Sequence, residues 1–355
     1  MAKLFMNDVG SAQNIVLWPM SNNSVVVDMG IEHDKWHQSC PFGSAPCSGA
    51  KTFILSHFHS DHYNAFDYTC SGCQLQNLSF ERVYYPKMPH IAGTNSVDPS
   101  LINLIKYCIS LNLRLPLGHR NAHIYNLIQK LIQLSHNPSL KFIPVKKGDK
   151  IVSNIEILWP LDKVSKPSIK NISNYETPFR ELIETDRALS DIFKVVEKIA
   201  EKTNQLTETW HIESIGEELR TLIRIYERAA SYPTVDLTQQ FQLHAKIKDV
   251  LNSWSLAFQH VEDKILFLGD LNASQINYVC KDVSRIAKPR QYDILVAAHH
   301  GTHAGMWLKC IRANTTVASI GKSLMNTSAQ QKAFLKYSNI SQVFSYTQNN
   351  GVIII

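Results

Sequence analysis

The stretch ILSHFHSDHYNAF, residues 54–66, follows an apolar run and places His57, His59, Asp61 and His62 within six positions. Ordinary packing does not call for this group, because buried imidazoles and carboxylates are costly without partners. His57 and His59 alternate on a loop after a strand, so both can face one borderline-soft cation such as zinc. Asp61 and His62 lie half a turn further on and can reach a second cation. Metal ions paired at about 3.5–4 Å generate hydroxide at neutral pH.

Two later motifs offer the partners that such a site needs. Asp270 ends the apolar run LFLGD (266–270), and His299 and His300 directly follow DILVAA (293–298). A carboxylate at that point is unfavourable unless it faces a turn or an ion, so we predict that Asp270 bridges two cations. One of the two histidines is predicted to complete the first metal's coordination. The other would contact a phosphoryl oxygen or protonate a leaving group.

The apolar patterns predict strands towards both ends of the chain, with helices between them. This order indicates an α/β protein, an αββα sandwich carrying a helical insertion. We expect residues 1–161 and 251–355 to form the two halves of the fold and residues 162–250 to form the insertion. Amphipathic stripes predict three helices in that insertion, at about 182–199, 212–226 and 241–251. The insertion could serve as a lid, as a partner-binding arm or as a dimer face.

Composition sets broad limits on the function. The chain has 355 residues, of which 44% are hydrophobic and 19% charged. No apolar stretch is long enough for a membrane helix and no signal peptide is evident, so we expect a cytoplasmic protein without membrane partners. The net charge of +6 permits an anionic substrate. Residues 162–250 hold 13 Lys and Arg against 15 Asp and Glu, whereas the rest of the chain carries +8.

The motifs HFHSDH (57–62), GD (269–270) and HH (299–300), in this order, resemble those of the metallo-β-lactamase superfamily, and most closely its ComEC-type branch. The likeness extends over most of the chain outside 162–250. The segments NSWSLAF (252–258), KILFLGDL (264–271) and YDILVAAHHGTHAG (292–305) are similar to consecutive motifs of that branch. The segments LFMNDVGSAQNIVLWP (4–19) and SVVVDMG (24–30) are similar to its opening.

The resemblance implies a hydrolase with two zinc or manganese ions that most often acts on phosphoesters through metal-bound hydroxide. Nucleases and phosphodiesterases are its usual members, so nucleic acid or a nucleotide is the expected substrate. Asp61, His299 and His300 are the expected catalytic residues, and Asp28 is expected to support the metal loop without binding the metal. Two alternatives stay open: a hydrolase of small esters, thioesters or lactams, and a non-catalytic metal-binding regulatory module.

The chain departs from the branch at two places. SLMNTSAQ (323–330) lacks the late histidine that usually binds a metal, and His303 is the nearest replacement. Residues 10–13 read Gly-Ser-Ala-Gln, which leaves the substrate role of that turn open.

Other cysteines and histidines offer weaker candidates. Cys40, Cys47, Cys70 and Cys73 could bind a structural zinc or remain unconnected thiols. One further group of histidines, at positions where many superfamily members place another ligand, could equally lie on the surface: His90, His119, His123 and His136.

Overall fold

The computed structural model describes the chain in segments: residues 2–19, 21, 23–32, 50–67, 80–95, 99–114, 140–164, 176–229, 237–284, 289–321, 324–347 and 351–355. Several predicted features lie outside these residues: the four candidate zinc cysteines, the candidate histidines His119, His123 and His136, and the helix that the apolar spacing at 124–134 predicts. Within the described residues the protein is a mixed α/β structure with two large mixed sheets and seven α-helices.

The strands are short and are numbered in chain order. They are β1 (Leu4–Met6), β2 (Asn14–Leu17), β3 (Val25–Met29), β4 (Thr52–Ile54), β5 (Arg82–Pro86), β6 (His90–Ile91), β7 (Lys141–Val145), β8 (Ile155–Trp159), β9 (Lys163–Val164), β10 (Trp210–His211), β11 (Ala257–His260), β12 (Ile265–Phe267), β13 (Arg290–Val296), β14 (Ile311–Ala318), β15 (Ser341–Tyr346) and β16 (Ile353–Ile354).

The α-helices of the described residues are α1 (Pro99–Arg114), α2 (Glu176–Thr185), α3 (Arg187–Lys202), α4 (Gly216–Ala229), α5 (Leu237–Asn252), α6 (Ala273–Val283) and α7 (Ser328–Ser338). The stripe predicted as one helix over 182–199 forms two helices, α2 and α3. The break falls at Asp186, which has extended backbone angles and accepts a hydrogen bond from Leu189 N at 2.9 Å. A carboxylate that satisfies a free N–H at a helix start favours a new helix there.

Sheet A contains eight strands in the order β10-β7-β5-β4-β3-β2-β1-β16, and sheet B contains six in the order β15-β14-β13-β12-β11-β8. In sheet A, β3, β4, β5 and β7 run parallel to their neighbours in this series. In sheet B, β12, β13, β14 and β15 do the same. The carboxyl ends of parallel neighbours lie at the same edge of a sheet. The segments that follow β4, β12 and β13 are those that carry the predicted site.

The two sheets share one core, because alternate residues of each contribute to a single buried cluster. Ile15, Val27 and Ile54 of sheet A lie in this cluster with Phe258 and Phe267 of sheet B. The remaining residues of the strands pack outwards against helices, which explains why their apolar runs are continuous rather than alternating.

Helices cover the outer faces of both sheets. Val26 and Phe53 share a cluster with Ile192 of α3 and Leu219 of α4, and Leu266 shares another with residues of α6 and α7. Residues 162–250, which we predicted as an insertion, therefore include the helices that cover sheet A. They also supply its edge strand β10, in which Trp210 pairs with Phe142.

Gly30, which directly follows β3, packs closely against the loop of residues 57–62. A Cβ atom at Gly30 would lie 1.5 Å from the carbonyl oxygen of Asp61. We expect Gly30→Ala to lower the free energy of unfolding by about 1–3 kcal/mol, because backbone must shift to make room. Urea denaturation measures it. Gly216→Ala is the control, since its nearest neighbour is the Arg220 guanidinium at 3.7 Å. Equal stabilities for Gly30→Ala and the wild type would contradict the packing described here.

Candidate metal centre

The loop after β4 is fixed by contacts to the chain before it. A 3-10 turn at Ser60–His62 carries the acidic end of the motif. Gln13 N donates to the carbonyl oxygen of Asp61 at 2.9 Å. The Asn64 side chain accepts from Ile31 N at 2.7 Å and donates to Ile31 O at 2.8 Å. These bonds hold the backbone of the histidine cluster in one conformation.

Asp270 is positioned by a tight turn after β12. Gly269 has a φ of +53°, and a Cβ there would lie 2.4 Å from Leu256 O and from Ser255 Oγ. Ser255 Oγ accepts a hydrogen bond from Asp270 N at 2.9 Å. Glycine is therefore required for both the backbone angle and the close approach. This turn directs the Asp270 side chain into the protein, where only 1% of it is exposed.

The histidine pair after β13 lies in an unusual left-handed turn. His299, His300 and Gly301 have φ values of 49°, 55° and 78°. Such angles are uncommon for residues with a side chain and cluster at functional sites. Tyr337, fully buried in α7, supports the turn by accepting from Ala298 N at 3.0 Å and donating to His303 O at 2.7 Å.

These three segments meet around one oxygen atom, Asp270 Oδ2. It lies 3.8 Å from His57 Nε2, 3.4 Å from His62 Nε2, 3.8 Å from His299 Nε2 and 3.6 Å from His300 Nε2. Ligand atoms about 2.0–2.2 Å from a tetrahedral cation lie roughly 3.3 Å apart, so these separations are close to those of a shared ligand set.

Two overlapping groups of side chains could each hold a cation. The first is His57, His62 and Asp270, and the second is Asp61, His62 and His300. In the second, His300 Nε2 lies 3.4 Å from Asp61 Oδ2. His59 adjoins the first, with its Nδ1 2.8 Å from His57 Nε2. His300 thus lies beside both Asp61 and Asp270.

The donor atoms of this cluster fit a divalent cation because they lack other partners. Both carboxylate oxygens of Asp270, both ring nitrogens of His300, His62 Nε2, His59 Nε2 and Asp61 Oδ1 are buried without a hydrogen bond among the described residues. Buried polar atoms are nearly always paired, so unpaired donor atoms that converge on one point form a group that could hold an ion. Imidazole nitrogens with carboxylate oxygens suit zinc or manganese.

Asp28 orients the His62 ring through a contact with its Nδ1 atom. Its Oδ2 lies 2.7 Å from His62 Nδ1, and its Oδ1 accepts from Ser56 N at 2.7 Å. A proton on Nδ1 leaves the Nε2 lone pair facing Asp61 and Asp270. The charges of Asp28, Asp270 and Asp61 raise the pKa of His62 well above its usual value, against the opposing effect of burial. Asp28 thus contacts the loop as the resemblance implied.

The remaining charges of the site are arranged to keep its carboxylates ionised. Burial alone would raise the pKa of Asp61, but the charges of Lys248 and His62 hold it well below its usual value. The charges of His62 and His300 act in the same way on the pKa of Asp270. Burial lowers the pKa of His57 well below its usual value. A carboxylate that stays ionised and an imidazole that stays neutral are both in the state that binds metal.

Helix α5 brings two side chains that lie outside the sequence motifs, Lys248 and His244, and a third, Asn252, that begins the motif NSWSLAF. Asn252 Nδ2 lies 3.4 Å from His299 Nε2, and the charge of Lys248 acts on Asp61, Asp270 and His59. His244 lies one turn before Lys248. The sequence feature that could have identified Lys248 and His244 is a series of polar residues at i, i+4 spacing along this helix. Such a series is usually interpreted as the solvent-exposed face of a helix that packs through its apolar stripe.

Two weaker candidates are also in the described residues. His303 Nδ1 lies 3.0 Å from His299 Nδ1, so it contacts a site residue but belongs to neither ligand group. His90 lies in β6, where its backbone N–H donates to Asp162 O at 2.8 Å.

Comparison with protein-family models and with the curated proteins finds no match for this chain. No helix in the described segments is long and apolar enough to cross a membrane. The chemistry of the site is therefore inferred from its own residues.

The orphaned carboxylate of Asp270 predicts a strong effect of metal on stability. We expect zinc or manganese to raise the thermal unfolding midpoint of the chelator-treated protein by roughly 5 °C at a hundred times the dissociation constant. Asp270→Asn should lose most of this gain. Calorimetry with and without metal measures it. The matched control is Asp191→Asn, because Asp191 is a surface carboxylate 3.8 Å from Lys194. A full metal response in Asp270→Asn would contradict the ligand role.

His244 predicts a pH dependence for the metal-free protein. Burial, followed by the charge of Lys248, lowers the pKa of His244 to about 4. The unfolded chain takes up this proton near pH 6.5 and the folded chain does not, so folding stability falls as pH drops from about 6.5 to 4. We expect His244→Gln to reduce that slope by up to about 1.4 kcal/mol per pH unit. Urea unfolding at several pH values measures it, and identical slopes would contradict it.

Proposed function

We propose that this protein is a metal-dependent hydrolase with the metallo-β-lactamase fold, which holds two divalent cations and cleaves phosphodiesters or phosphomonoesters. The observation that carries this proposal is the convergence of four imidazoles on the orphaned carboxylate of Asp270. Three separate motifs, distant in the chain, supply these groups. A chance histidine cluster would not bring a buried, unpaired carboxylate with it.

The fold supports the same assignment. Two sheets share a core and carry helices on their outer faces, which is the arrangement of an αββα sandwich. The ligand motifs follow strands whose carboxyl ends lie at one edge of each sheet. The order of the motifs along the chain agrees with that of the ComEC-type branch.

We assign the residues to two metal sets. His57, His59 and Asp270 would hold one cation, because His59 adjoins His57 and His57 lies 3.8 Å from Asp270. Asp61, His62 and His300 would hold the other, and His62 is also within reach of the first set. Once bound, such cations lower the pKa of water to supply a nucleophile at neutral pH and offset negative charge on a phosphoryl group.

His299 is the histidine of the pair that reaches the substrate. Its side chain is 23% exposed, against 2% for His300. Burial lowers the pKa of His299 to about 4, so the imidazole is neutral at pH 7. A neutral ring that carries one N–H suits a hydrogen bond to a phosphoryl oxygen better than proton donation to a leaving group. The contact with His303 Nδ1 at 3.0 Å orients this ring.

The substrate class is proposed from charge. The chain outside 162–250 has a net charge of +8, and Lys248 adds a cation beside the site. A phosphoester of a nucleotide or nucleic acid would benefit from both. A small ester, thioester or lactam would use the same ligands but would gain less from this charge.

The proposal is tested with the whole protein loaded with zinc or manganese. We expect two metals per chain by elemental analysis and hydrolysis of bis-p-nitrophenyl phosphate. Asp61→Asn should lower kcat by a factor of about 100 or more, because it removes a carboxylate ligand while keeping the shape of the side chain. Asp191→Asn should leave kcat unchanged.

Three other results would contradict the proposal. Hydrolysis of nitrocefin or p-nitrophenyl acetate without any phosphodiester cleavage would favour the ester or lactam class. Bound metal with no turnover on any of these compounds would favour a regulatory module. A wild-type chain that binds no metal would exclude the site itself.

A further inference from the structure

Helix α5 presents a row of polar side chains that begins and ends in buried contacts. Gln240, His244, Lys248 and Asn252 follow one another at i, i+4 spacing, which places them along one side of the helix. Gln240 Nε2 donates to Asp186 Oδ2 at 3.1 Å, and Asn252 Nδ2 lies 3.4 Å from His299 Nε2. Gln240 and Asn252 are both buried. The row is therefore packed against the protein and runs into the metal centre at its carboxyl end.

The ammonium group of Lys248 lies in this row without a bonded partner. The part of the chain that the structure describes gives it neither a hydrogen bond nor an ion pair. Its charge nevertheless interacts with several groups of the centre. The charge of Asp61 has the largest effect on the pKa of Lys248, burial has the second largest and the charge of Asp270 the third. A lysine whose only role was to neutralise Asp61 would form an ion pair with it. Lys248 instead lies within electrostatic range of Asp61 and Asp270 without a bond to either.

His244 provides a second unpaired group one turn earlier. Its Nε2 is buried and has no hydrogen-bond partner in the described segments. The charges of Lys248 and Asp61 both act on this imidazole, so it lies within electrostatic range of both groups. Asn252 Oδ1 is also buried without a partner. A cation, a ring nitrogen and an amide on one side of a helix form a set that can bind the oxygens of an anion.

An anionic ligand accounts for this arrangement better than a neutral one. Orphaned polar atoms and an unpaired ammonium near a buried site are unfavourable unless a ligand satisfies them. Two other partly buried lysines are paired, Lys146 with Asp162 at 2.9 Å and Lys147 with Asp282 at 2.9 Å. The cations implied by the ligand groups would repel Lys248 unless negative charge lay between them.

We propose that Lys248, with His244 and Asn252, forms an anion-binding wall on helix α5 that holds a phosphoryl oxygen of the substrate against the metal centre. This inference rests on the proposed function and deepens it, because it names side chains that would bind the phosphoryl group of the substrate. Lys248 is then a substrate-binding residue that residues 162–250 contribute to the metal centre.

The test uses inorganic phosphate as the probe and the whole metal-loaded chain as the protein. Isothermal titration calorimetry gives the phosphate affinity of the wild type, Lys248→Met and Lys246→Met. Lys246 is the matched control, because it is an exposed lysine two positions away on the same helix. We expect Lys248→Met to weaken phosphate binding about tenfold or more, since it removes a charged contact, while Lys246→Met binds as the wild type does. Lys248→Arg should recover part of the loss.

Metal content is measured on every variant. Equal metal in Lys248→Met and the wild type, with weaker phosphate binding in the variant alone, supports the wall. Unchanged phosphate affinity in Lys248→Met, or no phosphate binding by the wild type, overturns it. Loss of metal from Lys248→Met also overturns it, because the lysine would then support the centre itself.

A substrate comparison gives a second readout. Lys248→Met should lower kcat/KM for bis-p-nitrophenyl phosphate much more than for neutral p-nitrophenyl acetate, and an equal loss on both would overturn the inference. If the wild type binds no metal, the proposed function fails, and the same phosphate comparison on the metal-free chain decides the inference separately.

Discussion

Burial of the Asp270 carboxylate places the strictest demand on this fold. Both of its oxygens are enclosed without a hydrogen bond among the described residues, and four imidazole nitrogens lie within 3.8 Å of one of them. An ionised carboxylate in such surroundings costs several kcal/mol unless positive charge compensates it. Cations bound at the two ligand groups would supply that charge, while Asp28 holds the His62 ring in place. Unusual backbone conformations hold the groups of the site in place. The glycine before Asp270 has a positive φ, the turn at His299–Gly301 is left-handed, and Tyr337 fastens that turn to helix α7.

The sequence predicted the groups that the fold brings together because each follows an apolar run that could only be a buried strand. His57 follows β4, Asp270 follows β12 and His299 follows β13, and the parallel pairing of β12 with β13 aligns two of these ends. The sequence also predicts a strand at 82–86 and a helix near 328–338, and the structure has these elements at Arg82–Pro86 and Ser328–Ser338. Such elements can be predicted from the sequence because the spacing of apolar residues and the apolar content of a segment are local properties of the chain.

Other features depend on contacts that no local pattern encodes. His300 Nε2 lies 3.4 Å from Asp61 Oδ2, and the left-handed turn at His299–Gly301 that carries it has no periodic signal in the sequence. The single helix expected at 182–199 divides where the Asp186 side chain caps Leu189 N, and the same carboxylate accepts from Gln240 of α5. From the sequence alone, the polar row of α5 would be interpreted as a solvent-exposed face. Its approach to the metal centre follows from apolar packing of Leu243, Ile247 and Leu251 against α1 on another side of the helix.

The charge balance of the site connects this helix to the chemistry. Divalent cations at both ligand groups would carry more positive charge than the carboxylates of Asp61 and Asp270 can neutralise, since His57 and His59 stay neutral. Lys248 adds to that excess. A neutral ester would leave the excess uncompensated in a partly buried space, whereas a phosphoryl group brings the missing negative charge and acceptor oxygens. The segment that covers sheet A thereby helps to determine which substrate the metal centre accepts.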